Sequence, residues 1–483
     1  MKQGARDYCM RLIRELINGI DAGDFSQPII SDKYKWEHLL GLFLMKDELD
    51  GGEKLFRELY DLATRSGEEY LRQKSHRGEK IKVTFQSYSA AQWPAGEVYR
   101  KFDKMPNINV NILVSPLVDR DNESTIDTYS QTRQWFLEHD YNIIDGLDLN
   151  SMESSGWENL GGFPDVLYQL SSWYGCLPIQ QWFTQLPLRC LVAYIPYGMD
   201  VSDSSDGSYL INYIYNKDIV NLTWRVYAET QFTLDGYKKY QMLEGKNARY
   251  SGYSKMDYFY HEHVFDEKML KSIWKIPEQV NVNTMKKIII APHYTILSKG
   301  DLCYSTFQKN LWFWIYLIKK YSDKISFIFK PHPNLRRTAV CTGLFGSYEA
   351  YDEYIKTWND NANAKVVQEG DYLACFASSD AMIMDSASFI GEYLYTGKPL
   401  LYLIRPEQTF NAVGAKTLSA YYQAPGEDYM AIEEFIEDVV IGGNDPMADA
   451  RKKIFEEEYD YVKINGQKAS DYIVNEILEL IGQ

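Results

Sequence analysis

A chain of 483 residues, 45% hydrophobic and 15% aromatic with 39 Tyr and 11 Trp, has the length for about three domains and the composition for large cores, which excludes a disordered chain. Its formal net charge of −16 excludes a general nucleic-acid binder, because neutralising phosphates calls for a basic face. A locally positive pocket remains compatible with an acidic whole.

The six cysteines (Cys9, Cys176, Cys190, Cys303, Cys341 and Cys375) are scattered without CxxC or His/Cys ligand spacing. Neither a disulfide framework nor a structural zinc site is expected. The start, MKQGARDYCMRLIREL, lacks the apolar centre of a signal peptide. The longest apolar run, Leu311 to Ile318, is too short to span a bilayer. A cytoplasmic protein is expected.

Residues 6 to 21 place Cys9, Leu12, Ile13, Leu16, Ile17 and Ile20 on one helical face. Helical stretches follow over residues 35–46 and 53–72, so residues 1–77 read as a helical appendage. From Ile81 the pattern changes. IKVTFQS reads as a strand, AAQWPAGEVYRKF opens a helix, and VNILVSP is a strand again. DVLYQL, CLVAYIPYG and WRVYAET add further buried strands. This first α/β domain is expected over residues 78–268.

A second alternation occupies residues 269–430. KKIIIAPH, ISFIFKPHP, AMIMD and LLYLI read as strands, and FQKNLWFWIYLIKKY and DYLACFASS as helices. Strands alternating with helices predict parallel sheets covered on both faces. Two such halves in tandem predict twin Rossmann-like domains facing a central cleft. Residues 431–483 read as acidic C-terminal helices. No internal repeat is evident.

Ligands of open α/β sheets bind where strands end and helices begin, and four such ends carry unusual residues. After AMIM come Asp385, Ser386, Ala387 and Ser388, a turn whose amides and hydroxyls suit a phosphate, although plain N-capping would use the same residues. Glu392, about one turn on, suits hydroxyl groups of a polyol or sugar. KPHP places His332 between two stiffening prolines, with Lys330, Arg336 and Arg337 close in sequence. An isolated His is more often structural, but the strand end and the flanking prolines favour an anion site. His293, in APHYT, stands at the corresponding end of the preceding strand. In the first half, YIPYGMD sets Tyr197 and Gly198 at a strand end, where glycine permits close approach.

The order IIIAPH, FKPHP, SDAMIMDSASF, GKPLLYL resembles the CDP-glycerol:poly(glycerophosphate) glycerophosphotransferase family, the TagF/TagB-like enzymes of teichoic-acid and capsule synthesis. The resemblance extends to YIPYG and to residues 228–259, and covers roughly residues 80–410. It implies a GT-B fold, no metal and no cofactor, and transfer of a polyol phosphate from a CDP-linked donor to a hydroxyl of a cell-surface glycan or polymer. It implies phosphate contact by His332 and sets Asp385, Ser388 and Glu392 on the pattern's Asp, second Ser and later acid; with Lys330, Arg336 and Ser386, read from their own positions, these make up the expected donor site. Peripheral association with the inner membrane face is compatible with it.

This chain departs from the family pattern in two places. Ala387 stands at the first motif serine and Ser386 at its tyrosine. Tyr197-Gly198 stands where the family has His-Gly, the source of its general base. His293 is the expected replacement base, since a neutral imidazole takes a hydroxyl proton near pH 7. The branch is thus a divergent one, with APH and PYG motifs. Three rival readings share these residues: a GT-B glycosyltransferase using a nucleotide sugar, a nucleotide-sugar 2-epimerase, and a non-catalytic nucleotide- or glycan-binding scaffold.

Overall fold

The computed structural model describes residues 34–297, 302–367, 372–387 and 389–482. The helix expected over residues 6–21 and the candidate Ser388 lie outside them. The chain forms two compact units. Unit 1 holds described residues 34–198, 211–255 and 461–482, and unit 2 holds residues 199–210 and 256–460.

Unit 1 is built on seven strands: β1 (Ile81–Ser87), β2 (Ile108–Val114), β3 (Ile143–Asp145), β4 (Val166–Gln169), β5 (Leu191–Tyr194), β6 (Arg225–Ala228) and β7 (Ala248–Tyr250). They run in the order β3-β2-β1-β4-β5-β6-β7, every pair parallel. Because both faces of the sheet are covered, strands such as VLYQ and LVAY are buried at every residue.

The N-terminal helices are part of this unit and form no separate appendage. Helix α1 (Trp36–Met45) buries Trp36 completely, with its indole N–H donating to the Cys190 carbonyl at 3.1 Å. Helix α2 (Gly52–His76) crosses the sheet so closely that a Cβ on Gly67 would lie 2.6 Å from Leu191 Cδ2 and 3.2 Å from the Arg189 carbonyl oxygen. Helix α3 is Gly96–Asp103.

The C-terminal segment, expected as one helical block, is divided between the units. The last helix, Ala469–Leu480, inserts Ile473, Val474 and Ile477 into the unit 1 core. Arg225 of β6 donates from Nε to Glu476 at 2.9 Å, which ties that helix to the sheet.

Unit 2 has six strands: β8 (Lys286–Ala291), β9 (Ile325–Phe329), β10 (Ala364–Val366), β11 (Ala381–Met384), β12 (Leu400–Ile404) and β13 (Tyr422–Pro425). Their order is β10-β9-β8-β11-β12-β13, again all parallel. Helix α4 (Phe307–Lys320) buries Phe307, Leu311, Trp314, Leu317 and Ile318 at helical spacing, and α5 is Leu373–Ser378. Each large apolar side chain so buried stabilises by about 1.5–3 kcal/mol. Both units thus share one Rossmann-like strand order, and the fold is of the GT-B type.

The units also share a device at the N-terminal edge of the sheet. The residue preceding the fourth strand is Asp165 in unit 1 and Asp380 in unit 2. Its carboxylate accepts the backbone N–H of the second residue of the first strand, Lys82 at 2.7 Å or Lys287 at 2.9 Å. Its own N–H returns to that residue's carbonyl at 2.9 and 2.8 Å. The two lysine ammonium groups cap nearby carbonyls, Gly161 and Gly162 in one case, Val282 and Met285 in the other. The sequence reading found no repeat; the repetition lies in strand order and in this clasp. Among the described residues no helix is long and apolar enough to cross a membrane.

Candidate functional site

In a sheet of this order the chain reverses its direction of winding between the first and fourth strands, which opens a crevice at their C-terminal ends. In unit 2 those strands are β8 and β11. They lead directly into Pro292-His293 and Asp385-Ser386, and β9 beside them leads into Lys330-Pro331-His332-Pro333.

KPHP continues the ladder of β9 against β8. Lys330 N–H donates to the Ile290 carbonyl at 2.8 Å and His332 N–H to the Pro292 carbonyl at 3.2 Å. Amides alternate in direction along an extended strand, so Pro331 and Pro333 fall where an N–H would point away from β8 and its absence costs nothing. This register brings His332 beside His293, with ring centroids 5.2 Å apart. Tyr294 lies 4.4 Å from the His332 ring, and Tyr304 is 5.4 Å from His293.

Asp385 is the bracket of the site. Only 2% exposed, its carboxylate accepts the N–H of His293 at 2.5 Å, the N–H of Thr306 at 2.6 Å and the Thr306 hydroxyl at 2.8 Å. Its own carbonyl accepts the Tyr402 hydroxyl at 3.2 Å. The side chain expected to touch the donor is thereby spent on holding the loop after β8 against the start of α4. Burial pushes its pKa up to about 6, against the opposing pull of those donors. Isolated burial would take it further; three donors to the carboxylate limit the rise.

The histidines are depressed. Burial, and then neighbouring His332, holds His293 well below the usual imidazole range. His332 falls to about 3 through burial and then the nearby Lys330 charge. Each ring nitrogen Nδ1 is already in use. Asn334 N–H donates to His332 Nδ1 at 3.1 Å. Thr295 meets His293 Nδ1 through its hydroxyl at 2.8 Å and its N–H at 3.4 Å. The N–H at 3.4 Å is a weak donor to Nδ1 and favours the proton of a neutral His293 on Nε2. With its proton on Nε2, His293 would have no lone pair left for the base role expected of it.

The remaining candidates fall in three places. Lys330 and Glu392 are buried, at 5% and 2% exposure, and Tyr372 links their surroundings: its ring lies 5.9 Å from the Lys330 ammonium and its hydroxyl bonds to Glu392. Ser386 is buried directly after β11, and helix α6 (Phe389–Leu394) follows. Arg336 is directed elsewhere: its guanidinium forms a two-point pair with Asp352 at 2.8 and 2.6 Å and lies 4.5 Å from the Tyr348 ring. Tyr197 and Gly198 follow β5 in unit 1, where the Tyr197 carbonyl accepts the Tyr253 hydroxyl at 2.5 Å. Gly198 does not take the left-handed backbone that its glycine would permit.

Sequence reasoning missed Thr295, Thr306 and Tyr372. Thr295, two residues beyond His293, was the one with a local signal, since a hydroxyl at that spacing reaches back to the ring.

Residues 210–479, more than half of the chain, match the profile of the CDP-Glycerol:Poly(glycerophosphate) glycerophosphotransferase family. Comparison with curated proteins gives no match. Among solved structures, the wall teichoic acid polymerase TagF is 12% identical, with 87% of this chain and 94% of that chain covered at a TM-score of 0.50. The UDP-GlcNAc 2-epimerase from Neisseria meningitidis is 16% identical over 83% of this chain and 100% of that chain, at a TM-score of 0.47. At 12% identity the likeness to TagF speaks to fold alone. The match over residues 210–479 takes in all six strands of unit 2 and both histidine loops, and on that ground the chain belongs to the CDP-glycerol:poly(glycerophosphate) glycerophosphotransferase family.

Proposed function

We propose that the protein transfers a polyol phosphate, glycerol phosphate or a close relative, from a CDP-activated donor to a hydroxyl of a cell-surface glycan or a teichoic-acid or capsule-type polymer. Family membership supports the reaction class. The single observation in this chain that carries the reading furthest is the joining of KPHP to APH at the switch point of unit 2, where His332, His293 and Lys330 converge. In the reaction the acceptor oxygen forms a bond to the donor's distal phosphorus, the phosphoanhydride bond breaks, CMP leaves, and the acceptor hydroxyl loses its proton to solvent or to an enzyme group. Positioning and charge stabilisation supply most of the acceleration in such transfers.

In this reading His332 and Lys330 offset the charge that develops on the phosphoryl oxygens. Ser386 and Ser388 flank the diphosphate, and Glu392 with Tyr372 faces the polyol hydroxyls. Asp385 shapes the site without touching the donor, and neither a metal ion nor a cofactor is required. Incubation of the full chain with CDP-glycerol and a glycerol phosphate primer, with and without EDTA, tests this. CMP release matched by phosphate gained in the primer supports it. Release of CDP or UDP without such gain from a panel of nucleotide sugars would establish the glycosyltransferase reading instead. Conversion of free UDP-GlcNAc without an acceptor would establish the epimerase.

Peripheral contact with the inner membrane face is part of the proposal. Trp312 and Tyr316 on α4 are 64% and 50% exposed, and Met430 nearby is 75% exposed. Tyr429 stacks on Phe313 at 4.2 Å, and Lys309, Lys319 and Lys320 stand at the two ends of this face. Aromatic rings with flanking lysines are the composition of a membrane-interface face. Co-sedimentation with anionic vesicles, lowered in Trp312→Ala/Tyr316→Ala, is the expected result; equal recovery without lipid removes this part of the proposal.

A further inference from the structure

The two histidines are held in the same protonation pattern by different means. His332 receives the main-chain N–H of Asn334 on Nδ1 at 3.1 Å, a bond that survives substitution of any side chain around it. His293 depends on Thr295. The Thr295 hydroxyl accepts the N–H of Tyr304 at 2.9 Å, so its own proton is free to point at His293 Nδ1, 2.8 Å away. The Thr295 N–H at 3.4 Å adds a weaker donor to the same nitrogen. A hydroxyl has one proton to give, and here its destination is settled by the amide arriving from the other side. The Thr295 carbonyl is fixed in turn by Ser305 N–H at 3.2 Å and by Arg405 at 3.3 Å.

Two rings locked in this way each offer Nε2–H as a neutral donor, with centroids 5.2 Å apart. The charged and titratable groups facing them are Lys330 beside His332, the Asp385 carboxylate at the His293 main chain, and the rings of Tyr294 and Tyr304, the latter with its hydroxyl turned away to the Thr409 carbonyl. Two imidazolium charges at that separation next to an ammonium would repel, whereas two neutral N–H donors do not. A diphosphate presents several acceptor oxygens, and a pair of donors matches it better than a donor and a base.

We infer that Thr295 is a positioning residue that holds His293 as an Nε2–H donor, so that His293 and His332 act as a matched donor pair on the phosphoryl oxygens of the donor substrate. The inference rests on the functional reading above and assigns His293 a role opposite to proton abstraction.

The test uses the full chain with imidazole ¹⁵N labelling and three forms: wild type, Thr295→Ser and Thr295→Val. Long-range ¹H–¹⁵N spectra of the free wild type and of Thr295→Ser are expected to give His293 a protonated Nε2 and an unprotonated Nδ1. Thr295→Val, which keeps the shape and deletes the hydroxyl, is expected to mix the two tautomers and to weaken binding of CDP about tenfold, the equivalent of one hydrogen bond of about 1.4 kcal/mol. Thr295→Ser restores both. A wild-type His293 protonated on Nδ1 overturns the inference whatever the activity. So does a Thr295→Val spectrum and CDP affinity equal to wild type. Should Thr295→Val fail to fold, the wild-type and Thr295→Ser spectra decide alone. A wild type with the expected tautomer that binds no CDP removes the functional reading and leaves the tautomer lock standing, so the two failures are told apart.

Discussion

Units 1 and 2 begin alike and end differently. Counted from the shared aspartate clasp, His293 corresponds to Tyr88, Asp385 to Leu170 and Ser386 to Ser171, and the ends of β8 and β11 correspond to Gln86 and Gln169. In unit 1 these positions make a neutral, self-satisfied set. Gln169 donates to Gln86, which donates to Ser115 at 3.0 Å, and the Tyr88 hydroxyl meets Ser171 at 3.0 Å. In unit 2 the same edge carries two imidazoles, a buried ammonium and a buried carboxylate. One edge serves the fold and the other concentrates groups that titrate, which is the electrostatic mark of a functional site. A common scaffold therefore constrains the start of each sheet far more than its end.

The largest effect that sharpens this contrast is on activity. His332→Ala is expected to lower transfer by about 10²–10³-fold, the loss typical of one charge-stabilising donor, with the thermal midpoint little changed. Tyr88→Phe, in the counterpart edge of unit 1, is expected to cost about 1 kcal/mol of stability through one lost hydrogen bond. A full rate in His332→Ala would erase the distinction between the edges.

The clasp predicts a graded stability effect. Asp165 is 1% exposed and bonded to Lys74 at 2.8 Å, whereas the Asp380 side chain is 34% exposed. Asp165→Ala is expected to destabilise by about 3–5 kcal/mol as a broken buried pair, and Asp380→Ala by about 1 kcal/mol. Chemical denaturation of both variants checks the order; equal losses would mean that the clasp acts through its backbone bonds alone.

Acid should affect unit 2 before unit 1. A histidine whose folded pKa lies below its unfolded value takes up its proton only on unfolding. The stability it contributes is present above about pH 6.5 and is lost as pH falls, by about 1.4 kcal/mol per pH unit for each ring. Asp385, raised to about 6, has the opposite sign: its contribution is full below about pH 4 and is lost as pH rises through 6. Two rings outweigh one carboxylate, so stability declines from pH 6.5 to 5. His293→Gln/His332→Gln should flatten that decline, and an unaltered profile would place the titrating groups elsewhere.

Arg336→Ala gives the smallest expected change. Its exposed pair with Asp352 contributes about 0.5 kcal/mol, and CDP affinity should stay within twofold. A tenfold loss would return Arg336 to the donor site that its sequence position implies.

The sequence placed the strands of both sheets well where apolar runs were long, as in KKIII, ISFIF and LLYLI. It missed the three-residue strands β3, β7 and β10 and the four-residue β13, because so short a stretch carries no readable period. His332 and His293 were legible as a pair because both follow buried strands one unit apart, and two prolines mark the first. Asp385 was legible as a strand-end residue, but its bonds to the amides of His293 and Thr306 were not. A strand-end aspartate bonded to two distant amides looks the same in sequence as one bonded to a ligand. The pairing of Arg336 was hidden for a related reason, since its partner Asp352 lies on the next helix. Helices α1 and α2 read as an appendage because the residues they cover, Cys190, Leu191 and Thr223 among them, are remote in sequence.

The prolines of KPHP have an effect beyond stiffness. With Lys330 and His332 already joined to β8, the opposite margin of that segment offers no amide hydrogen at Pro331 or Pro333. No further strand, from this chain or another, has donors there to zip onto. The rim beside the imidazoles thus lacks, by its covalent make-up, the amide donors that sheet extension uses.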